Sequence, residues 1–142
     1  MTAIISHNTR IFCTIDSYGN KIWKNKEGQI HRDYDKPAII YPDGSKSWFK
    51  EGKLHRDNDL PAMIFASGTQ EWYKEGKRHR DYDLPVIIYA NGNQYWYKEG
   101  QQHRDNDKPA VIYPDGSQIW YKEGQYHRDN DLPAIIYTNG RE

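Results

Sequence analysis

The sequence has a single cysteine, Cys13, among its 142 residues. One cysteine excludes an intrachain disulfide framework and a zinc site built from several cysteines. The chain also has no excess charge of either sign, because 20 basic residues balance 20 acidic ones. Affinity for nucleic acid, or for a membrane through a polybasic patch, depends on such an excess. We therefore expect no nucleic-acid partner.

Long apolar runs are missing as well, and apolar residues make up only 36% of the chain. No segment approaches the roughly 18 apolar residues that span a membrane. The first seven residues are too short and too polar for a signal peptide. These absences predict a soluble, intracellular (cytoplasmic) protein. The low apolar content alone would suit a disordered chain, but 5 Trp, 12 Tyr and 3 Phe indicate a packed fold.

The most prominent feature of the sequence is an internal repeat. The triplet His-Arg-Asp begins every 24 residues, at His31, His55, His79, His103 and His127. Residues 31–142 are therefore predicted to hold four complete repeats and a truncated fifth. Residues 1–30 are predicted to form an N-terminal cap with a degenerate half-repeat, in which Gly19 and Trp23 keep the spacing of the later repeats.

Each repeat has the pattern of a β-hairpin. In the first repeat, residues 37–41 predict one strand, Pro42-Asp43-Gly44-Ser45 a turn, and residues 46–50 a second strand. One hairpin cannot bury its own face, so successive hairpins must pack on each other. The sequence predicts an all-β fold, an elongated single-layer antiparallel sheet of stacked β-hairpins with about 10–11 strands. Alternation along the strands is expected to place the tryptophans on one face with the central isoleucines. These residues are Trp48, Trp72, Trp96 and Trp120, with Ile40, Ile64, Ile88 and Ile112.

The order of residues within a repeat resembles that of a known family. One repeat contains Tyr113-Pro114-Asp115-Gly116, Trp120-Tyr121-Lys122-Glu123-Gly124 and His127-Arg128. This order resembles the MORN repeat, and residues 19–142 are most similar to variant MORN-like arrays with His-Arg-Asp-x-Asp-x-Pro-Ala segments. Such arrays occur in large DNA viruses and some bacteria. The common unit has glycine after the histidine, where this chain has arginine. The resemblance implies an open sheet of stacked hairpins, and a viral protein is among its expectations.

The His-Arg-Asp triplet itself is predicted to be structural. A protein kinase also uses this triplet, but the chain lacks the Gly-rich phosphate loop, the ATP lysine and the Asp-Phe-Gly motif, and it is too short for two lobes. We therefore predict no catalytic residue and no enzymatic activity. The arginine is expected to lie on a neighbouring Trp or Tyr ring. The first aspartate is expected to accept hydrogen bonds from it or from turn amides.

Metal sites and cofactors are not predicted. Equivalent histidines of successive hairpins would lie about 10 Å apart, too far to share a zinc ion. Asp57-Asn58-Asp59 and its equivalents match the first positions of a calcium loop, but the required glycine and distant glutamate are missing. An Asx turn is the favoured interpretation, and calcium binding remains the alternative.

Two columns of residues vary between otherwise similar repeats. One consists of Ser47, Glu71, Tyr95 and Ile119, and the other of Leu54, Arg78, Gln102 and Tyr126. Because equivalent side chains line up along a repeat array, these columns are predicted to form an exposed strip that binds a partner. Sequence drift on a solvated face is the alternative explanation.

The leading functional prediction is a non-enzymatic repeat scaffold that binds protein. Its partners are predicted to include a second copy of the chain, through an edge strand at residues 133–137. A peripheral membrane or phospholipid-binding module is the first alternative, with side chains such as Trp48 and Lys50 at the headgroups. Carbohydrate binding through exposed Trp and Tyr rings is the second.

Overall fold

A computed structural model describes residues 4–6 and 9–138 of the chain. These residues form short strands joined by turns, so the predicted all-β class is confirmed. The strands are Ile4–Ser6 (β1), Thr9–Ile15 (β2), Lys21–Lys24 (β3), Ile39–Ile40 (β4), Lys46–Ser47 (β5), Phe49–Lys50 (β6), Lys53–Leu54 (β7), Met63–Ile64 (β8), Gln70–Glu71 (β9), Tyr73–Lys74 (β10), Lys77–Arg78 (β11), Ile87–Ile88 (β12), Gln94–Tyr95 (β13), Tyr97–Lys98 (β14), Gln101–Gln102 (β15), Val111–Ile112 (β16), Gln118–Ile119 (β17), Tyr121–Lys122 (β18), Gln125–Tyr126 (β19) and Ile135–Ile136 (β20). The described residues contain no helix that is long and apolar enough to cross a membrane.

The chain divides into two compact units, Met1–Gly76 and Lys77–Glu142. In the first unit the strands lie in the order β1-β2-β3-β4-β5-β8-β9, and every neighbouring pair is antiparallel. In the second unit the order is β12-β13-β16-β17-β20, again antiparallel. Each complete repeat contributes two consecutive strands to its sheet, as the hairpin prediction requires. The predicted boundary after residue 30 stays a prediction.

The second predicted strand of each repeat is broken at its tryptophan. The Trp48 N–H donates to the Ala62 carbonyl of the next repeat at 2.8 Å, whereas its own carbonyl accepts from the His55 N–H at 3.1 Å. The main chain therefore leaves the sheet at Trp48 and forms a separate small hairpin, in which β6 pairs with β7. Strands β14–β15 and β18–β19 form the same hairpin in the second unit. This finding corrects the prediction of one continuous strand over residues 46–50.

Three turns in each repeat contain residues with positive φ. Gly44 has a φ of 91°, as its turn sequence predicts. In the small hairpin, Glu51 and Gly52 have φ values of 50° and 81°, the pattern of a type I′ turn. In the loop after His-Arg-Asp, Tyr34 and Asp35 have φ values of 61° and 52°. Asparagine, which replaces Tyr34 in three other repeats, adopts this conformation more readily than tyrosine does.

The buried face of the sheet is set by the register of the hairpins. Ile39 lies opposite Ser47, and Ile40 lies opposite Lys46. Directly opposed residues share a face, so Ile39 and Ser47 face the core while Ile40 is only half-buried. The tryptophans of all four complete repeats are buried. The prediction that Ile40, Ile64, Ile88 and Ile112 form the apolar face with them is wrong, because the strand break at each tryptophan ends the simple alternation.

Candidate functional site

In both units, arginines of the triplets join their repeat to the preceding one. The Arg56 guanidinium carbon lies 3.8 Å from the centre of the Trp48 ring. Its Nε and Nη2 donate to the two carboxylate oxygens of Asp35 at 2.7 and 2.9 Å, and its Nη1 donates to the Pro61 carbonyl at 3.2 Å. The Trp48 indole N–H donates to the Asp35 carbonyl at 3.1 Å. We call this arrangement of arginine, tryptophan and second aspartate the Arg–Trp–Asp cluster.

The Arg–Trp–Asp cluster recurs in the second unit. Arg104 lies 3.9 Å from the centre of the Trp96 ring and donates to both carboxylate oxygens of Asp83, at 2.8 and 3.2 Å. Arg128 also stacks on its tryptophan at 3.9 Å, but its Nε lies 3.8 Å from the Asp107 carboxylate. The predicted stacking of arginine on a neighbouring tryptophan ring is confirmed.

The acidic members of these clusters have lowered pKa values. The hydrogen bond from Arg56 is the main reason that the pKa of Asp35 lies below its ordinary value. The pKa of Asp83 is lowered first by its hydrogen bond from Arg104 and further by one from Lys108. Both carboxylates therefore stay ionised at neutral pH, as charge-assisted hydrogen bonds require.

Histidines of the triplets bind the small hairpin of their own repeat. The His31 Nδ1 accepts from the Glu51 N–H at 3.0 Å, and its Nε2 lies 2.9 Å from the Asp33 carboxylate. Because Nδ1 accepts, Nε2 carries the proton and donates to the carboxylate. His55 makes the same bond to the Glu75 N–H at 3.1 Å. The first aspartate thus accepts from histidine and the second from arginine, which corrects the predicted pairing.

The aspartate-rich loops form closed turns. Asn58 and Asp59 have φ values of 62° and 53°, and the Asp59 carbonyl accepts from the Trp72 indole N–H at 3.0 Å. The Asp57 carboxylate accepts from the His55 Nε2 at 2.9 Å. In the part of the chain that the structure describes, no three His, Cys, Asp or Glu side chains are grouped as metal ligands.

A shallow groove separates successive triplets in each unit. Its volume is about 360 Å³ between residues 31 and 58 and about 170 Å³ between residues 103 and 129. The groups that line it already bind each other. Asp105, for example, accepts from the Lys98 Nζ at 2.9 Å and from the His103 Nε2 at 2.9 Å. The polar side chains of the groove hold repeats together, and we assign no ligand to it.

The first predicted column is mostly buried, which corrects the expectation of an exposed strip. Ser47, Glu71 and Ile119 are exposed by 0%, 8% and 8%, and Tyr95 is half-buried. Their register explains this, because they lie opposite buried or half-buried apolar residues of the neighbouring strands. The four pairs are Ser47 with Ile39, Glu71 with Met63, Tyr95 with Ile87 and Ile119 with Val111.

Variation in this column changes the interior of the sheet. The Ser47 hydroxyl donates to the Tyr41 hydroxyl oxygen at 3.3 Å. The buried Glu71 carboxylate accepts from the Tyr73 hydroxyl at 2.8 Å. A polar residue in the column therefore finds its hydrogen-bond partner among the tyrosines of its own repeat.

The second predicted column lies on the small hairpins and is more accessible. Leu54, Arg78 and Gln102 are half-buried, and Tyr126 is exposed by 60%. The Arg78 guanidinium carbon lies 5.2 Å from the centre of the Tyr97 ring. The accessible part of the predicted strip is therefore this column.

In the second unit the two columns meet in a group of tyrosines. Tyr95 from the first column acts on the pKa of Tyr113, and Tyr126 from the second acts on that of Tyr121. The ring centres of Tyr121 and Tyr126 are 4.7 Å apart, and Tyr89 packs edge-to-face on Tyr95 at 5.2 Å. We define the tyrosine cluster as Tyr89, Tyr95, Tyr113, Tyr121, Tyr126 and Tyr137.

The tyrosine cluster is partly buried and open to solvent at three rings. Burial, and after it the neighbouring Tyr95, Tyr126 and Tyr137, together raise the pKa of Tyr113 to about 12. Burial also raises the pKa of Tyr121. These phenols therefore keep their protons at neutral pH. Tyr126, Tyr137 and Tyr89 are exposed by 60%, 43% and 39%.

Sequence variation points to Tyr95 and Tyr126 but not to the other four members. Tyr113, for example, occupies a position that is aromatic in the other repeats, so a search for variable positions does not find it. A different signal marks the cluster. The first repeat pairs Phe49 with Leu54, whereas the fourth pairs Tyr121 with Tyr126.

Comparison of the chain with models of known protein families and with curated proteins finds no match. The resemblance to MORN-like repeats therefore stays a prediction.

Proposed function

We propose that this chain is a non-enzymatic repeat scaffold that binds another protein through the tyrosine cluster. The observation that carries the proposal is the convergence of six tyrosines in one unit, three of them well exposed. Tyrosine supplies a large contact area at low conformational-entropy cost, together with a hydroxyl group for hydrogen bonding. It is also enriched among the residues that dominate the energy of protein–protein binding.

The His-Arg-Asp residues support a role without catalysis. In the Arg56 cluster, three guanidinium nitrogens are already hydrogen-bonded. Both ring nitrogens of His31 and His55 are occupied as well. A catalytic acid, base or nucleophile must reach a substrate atom, and these groups are instead hydrogen-bonded to other residues of the repeat array.

The two alternative functions lose part of their basis. Both rest in part on exposed tryptophans, but Trp48, Trp72, Trp96 and Trp120 are buried. Self-association through β20 remains part of the proposal. Sedimentation that shows a pure monomer at high concentration would remove that part.

The proposal is tested by affinity capture from lysate with three purified chains. The first is the wild type. The second carries Tyr121→Phe and Tyr126→Leu, which recreate the natural Phe49–Leu54 pair of the first repeat. The third carries Tyr82→Asn, which removes an exposed tyrosine outside the cluster and installs the residue found at the equivalent Asn58.

We expect the wild type and the Tyr82→Asn chain to capture the same proteins, and the double variant to lose them. Near-ultraviolet circular dichroism confirms that the double variant is folded. If all three chains capture the same proteins, or if none captures any, the tyrosine cluster does not bind a protein partner.

A further inference from the structure

The tyrosines of the cluster recur with the spacing of the repeats. Tyr89, Tyr113 and Tyr137 occupy the same position in three successive repeats. Within the second unit each complete repeat adds two neighbouring strands, β12–β13 and then β16–β17. Antiparallel strands lie about 4.8 Å apart, so equivalent tyrosines recur at intervals of about 9.6 Å.

This interval is close to the pitch of a polyproline II helix. That helix has three residues per turn and rises by about 3.1 Å per residue, which gives about 9.3 Å per turn. An extended ligand in this conformation therefore presents the same position of a three-residue motif to each successive tyrosine. Over two intervals the accumulated mismatch is only about 0.6 Å.

The surroundings of the cluster favour an uncharged ligand. In this unit the second column starts with the charged Arg78 and continues with the uncharged Gln102 and Tyr126. Lys98 and Lys122 lie beside the cluster in sequence, but each is held by a carboxylate. The Lys98 Nζ lies 2.9 Å from Asp105, and the Lys122 Nζ lies 3.6 Å from the equivalent aspartate. Charge complementarity therefore selects a neutral segment.

Hydrogen bonding points to the same kind of ligand. A polyproline II segment makes no internal hydrogen bonds, so its carbonyl groups accept from outside. The tyrosines offer O–H donors beside apolar rings, and Tyr126 and Tyr137 are exposed enough to be reached. Proline-rich segments bind aromatic-lined surfaces of this kind because their conformation is already formed before binding.

We propose that the tyrosine cluster binds an extended, uncharged, proline-rich segment of the partner, with one proline for each repeat. This inference rests on the proposed function and specifies the chemistry of the partner. The cluster is accordingly the part of the scaffold that selects the partner, whereas the Arg–Trp–Asp clusters maintain the spacing.

The test uses two synthetic 12-residue peptides with blocked ends. The periodic peptide contains four Pro-Thr-Gln triplets, and the matched peptide has the same composition with its four prolines consecutive. Binding of each peptide to the full chain is measured by fluorescence anisotropy. The protein arms are the wild type, the Tyr121→Phe/Tyr126→Leu variant and the Tyr82→Asn control. Maltoheptaose serves as a carbohydrate probe, and its binding is measured directly by isothermal titration calorimetry.

We expect the wild type to bind the periodic peptide at least about tenfold more tightly than the matched peptide, and the double variant to lose at least about tenfold in affinity. Tyr82→Asn should bind like the wild type. Equal binding of the two peptides, or equal binding by the double variant, overturns the inference. Binding of maltoheptaose without peptide binding assigns the cluster to carbohydrate and also overturns it.

The outcome separates this inference from the proposed function. If neither peptide binds while the capture experiment shows a protein partner that the double variant loses, the scaffold proposal stands and the polyproline inference fails. If the capture experiment also fails, both are wrong.

Discussion

At the scale of single residues, the second position of the triplet requires arginine. The planar guanidinium of Arg104 stacks on a tryptophan ring and at the same time donates to both oxygens of Asp83. It also donates to the Pro109 carbonyl at 3.1 Å. Lysine has the same charge but no planar, forked donor group. The contact between successive repeats therefore depends on the geometry of this side chain as well as on its charge.

Arg104→Lys should lower the free energy of unfolding by about 1–3 kcal/mol, since it removes the stack and the paired hydrogen bonds. Urea unfolding followed by tryptophan fluorescence measures the change. Lys53→Gln is the matched control, because Lys53 is exposed and the equivalent residue Gln101 is glutamine. Equal midpoints for the two variants would show that the stack contributes nothing.

Stability should fall in acid because of the aspartates of these clusters. The pKa values of Asp35 and Asp83 are lower in the folded chain than the ordinary value, mainly through hydrogen bonds from arginine. Such groups contribute stability above the unfolded-state pKa of about 3.9, and this stability is lost as the pH falls through the folded-state values.

The acid dependence is measured as the thermal midpoint between pH 6 and pH 2.5. We expect a plateau down to about pH 4 and a steep decline below it. Asp83→Asn should be less stable on the plateau and should show a flatter decline. A variant curve that runs parallel to that of the wild type would contradict the role given to this carboxylate.

The sequence predicts some of these residue contacts but not all. The stacking of Arg56 on Trp48 can be predicted, because an arginine and a tryptophan recur together along the repeats. The hydrogen-bond partners of the aspartates cannot be predicted from the sequence. They depend on the course of the loop, in which the two residues after Asp33 have positive φ. The burial of Ser47 is equally hard to predict, since a small polar side chain is tolerated inside only when it finds a partner such as the Tyr41 hydroxyl.

At the scale of elements, the strand break at each tryptophan shapes the repeat. Trp48 uses its N–H in the sheet and its carbonyl in the small hairpin, so one residue belongs to both. The sequence predicts the hairpin and its Gly44 turn well, because turn chemistry is local. It does not predict the break, because residues 46–50 contain no glycine or proline to mark it.

The type I′ turn of the small hairpin offers a stabilising substitution. Glu51 has a φ of 50° and precedes Gly52, and asparagine before glycine is favoured in this turn. Glu51→Asn should therefore raise the free energy of unfolding by about 0.5–1 kcal/mol. The bond from its N–H to His31 uses the main chain and is retained. Urea unfolding measures the gain.

The matched control for this turn is Glu51→Val. A β-branched residue strongly resists positive φ, so this variant should be destabilised by about 1–2 kcal/mol. If asparagine and valine give the same midpoint, the left-handed backbone at this position is not a determinant of stability.

At the scale of the whole molecule, the even balance of charge agrees with recognition by uncharged side chains. The sequence has 20 basic and 20 acidic residues, and Tyr113 and Tyr121 of the tyrosine cluster keep their protons at neutral pH. The general prediction of a repeat scaffold follows from this composition and from the 24-residue period. The cluster itself does not, because it requires the register that brings Tyr95 and Tyr126 together.

Binding through the tyrosine cluster should be almost independent of salt. Ionic screening weakens contacts between exposed charges, whereas contacts between neutral aromatic and proline side chains involve no charge. We expect the affinity for a captured partner to change by less than about twofold between 50 and 500 mM sodium chloride. A loss of tenfold or more would show that exposed lysines and aspartates carry the binding instead.

Binding of the partner at the tyrosine cluster is tested most directly by an NMR titration with ring-labelled tyrosine. The spectrum of the full chain is recorded with and without a captured partner, and each ring resonance is assigned by substitution. We expect the resonances of Tyr89, Tyr126 and Tyr137 to shift and those of Tyr18, Tyr34 and Tyr82 to stay unchanged. Shifts confined to Tyr34 and Tyr82 would place recognition on the aspartate-rich loops and would contradict the assignment of the tyrosine cluster as the binding surface.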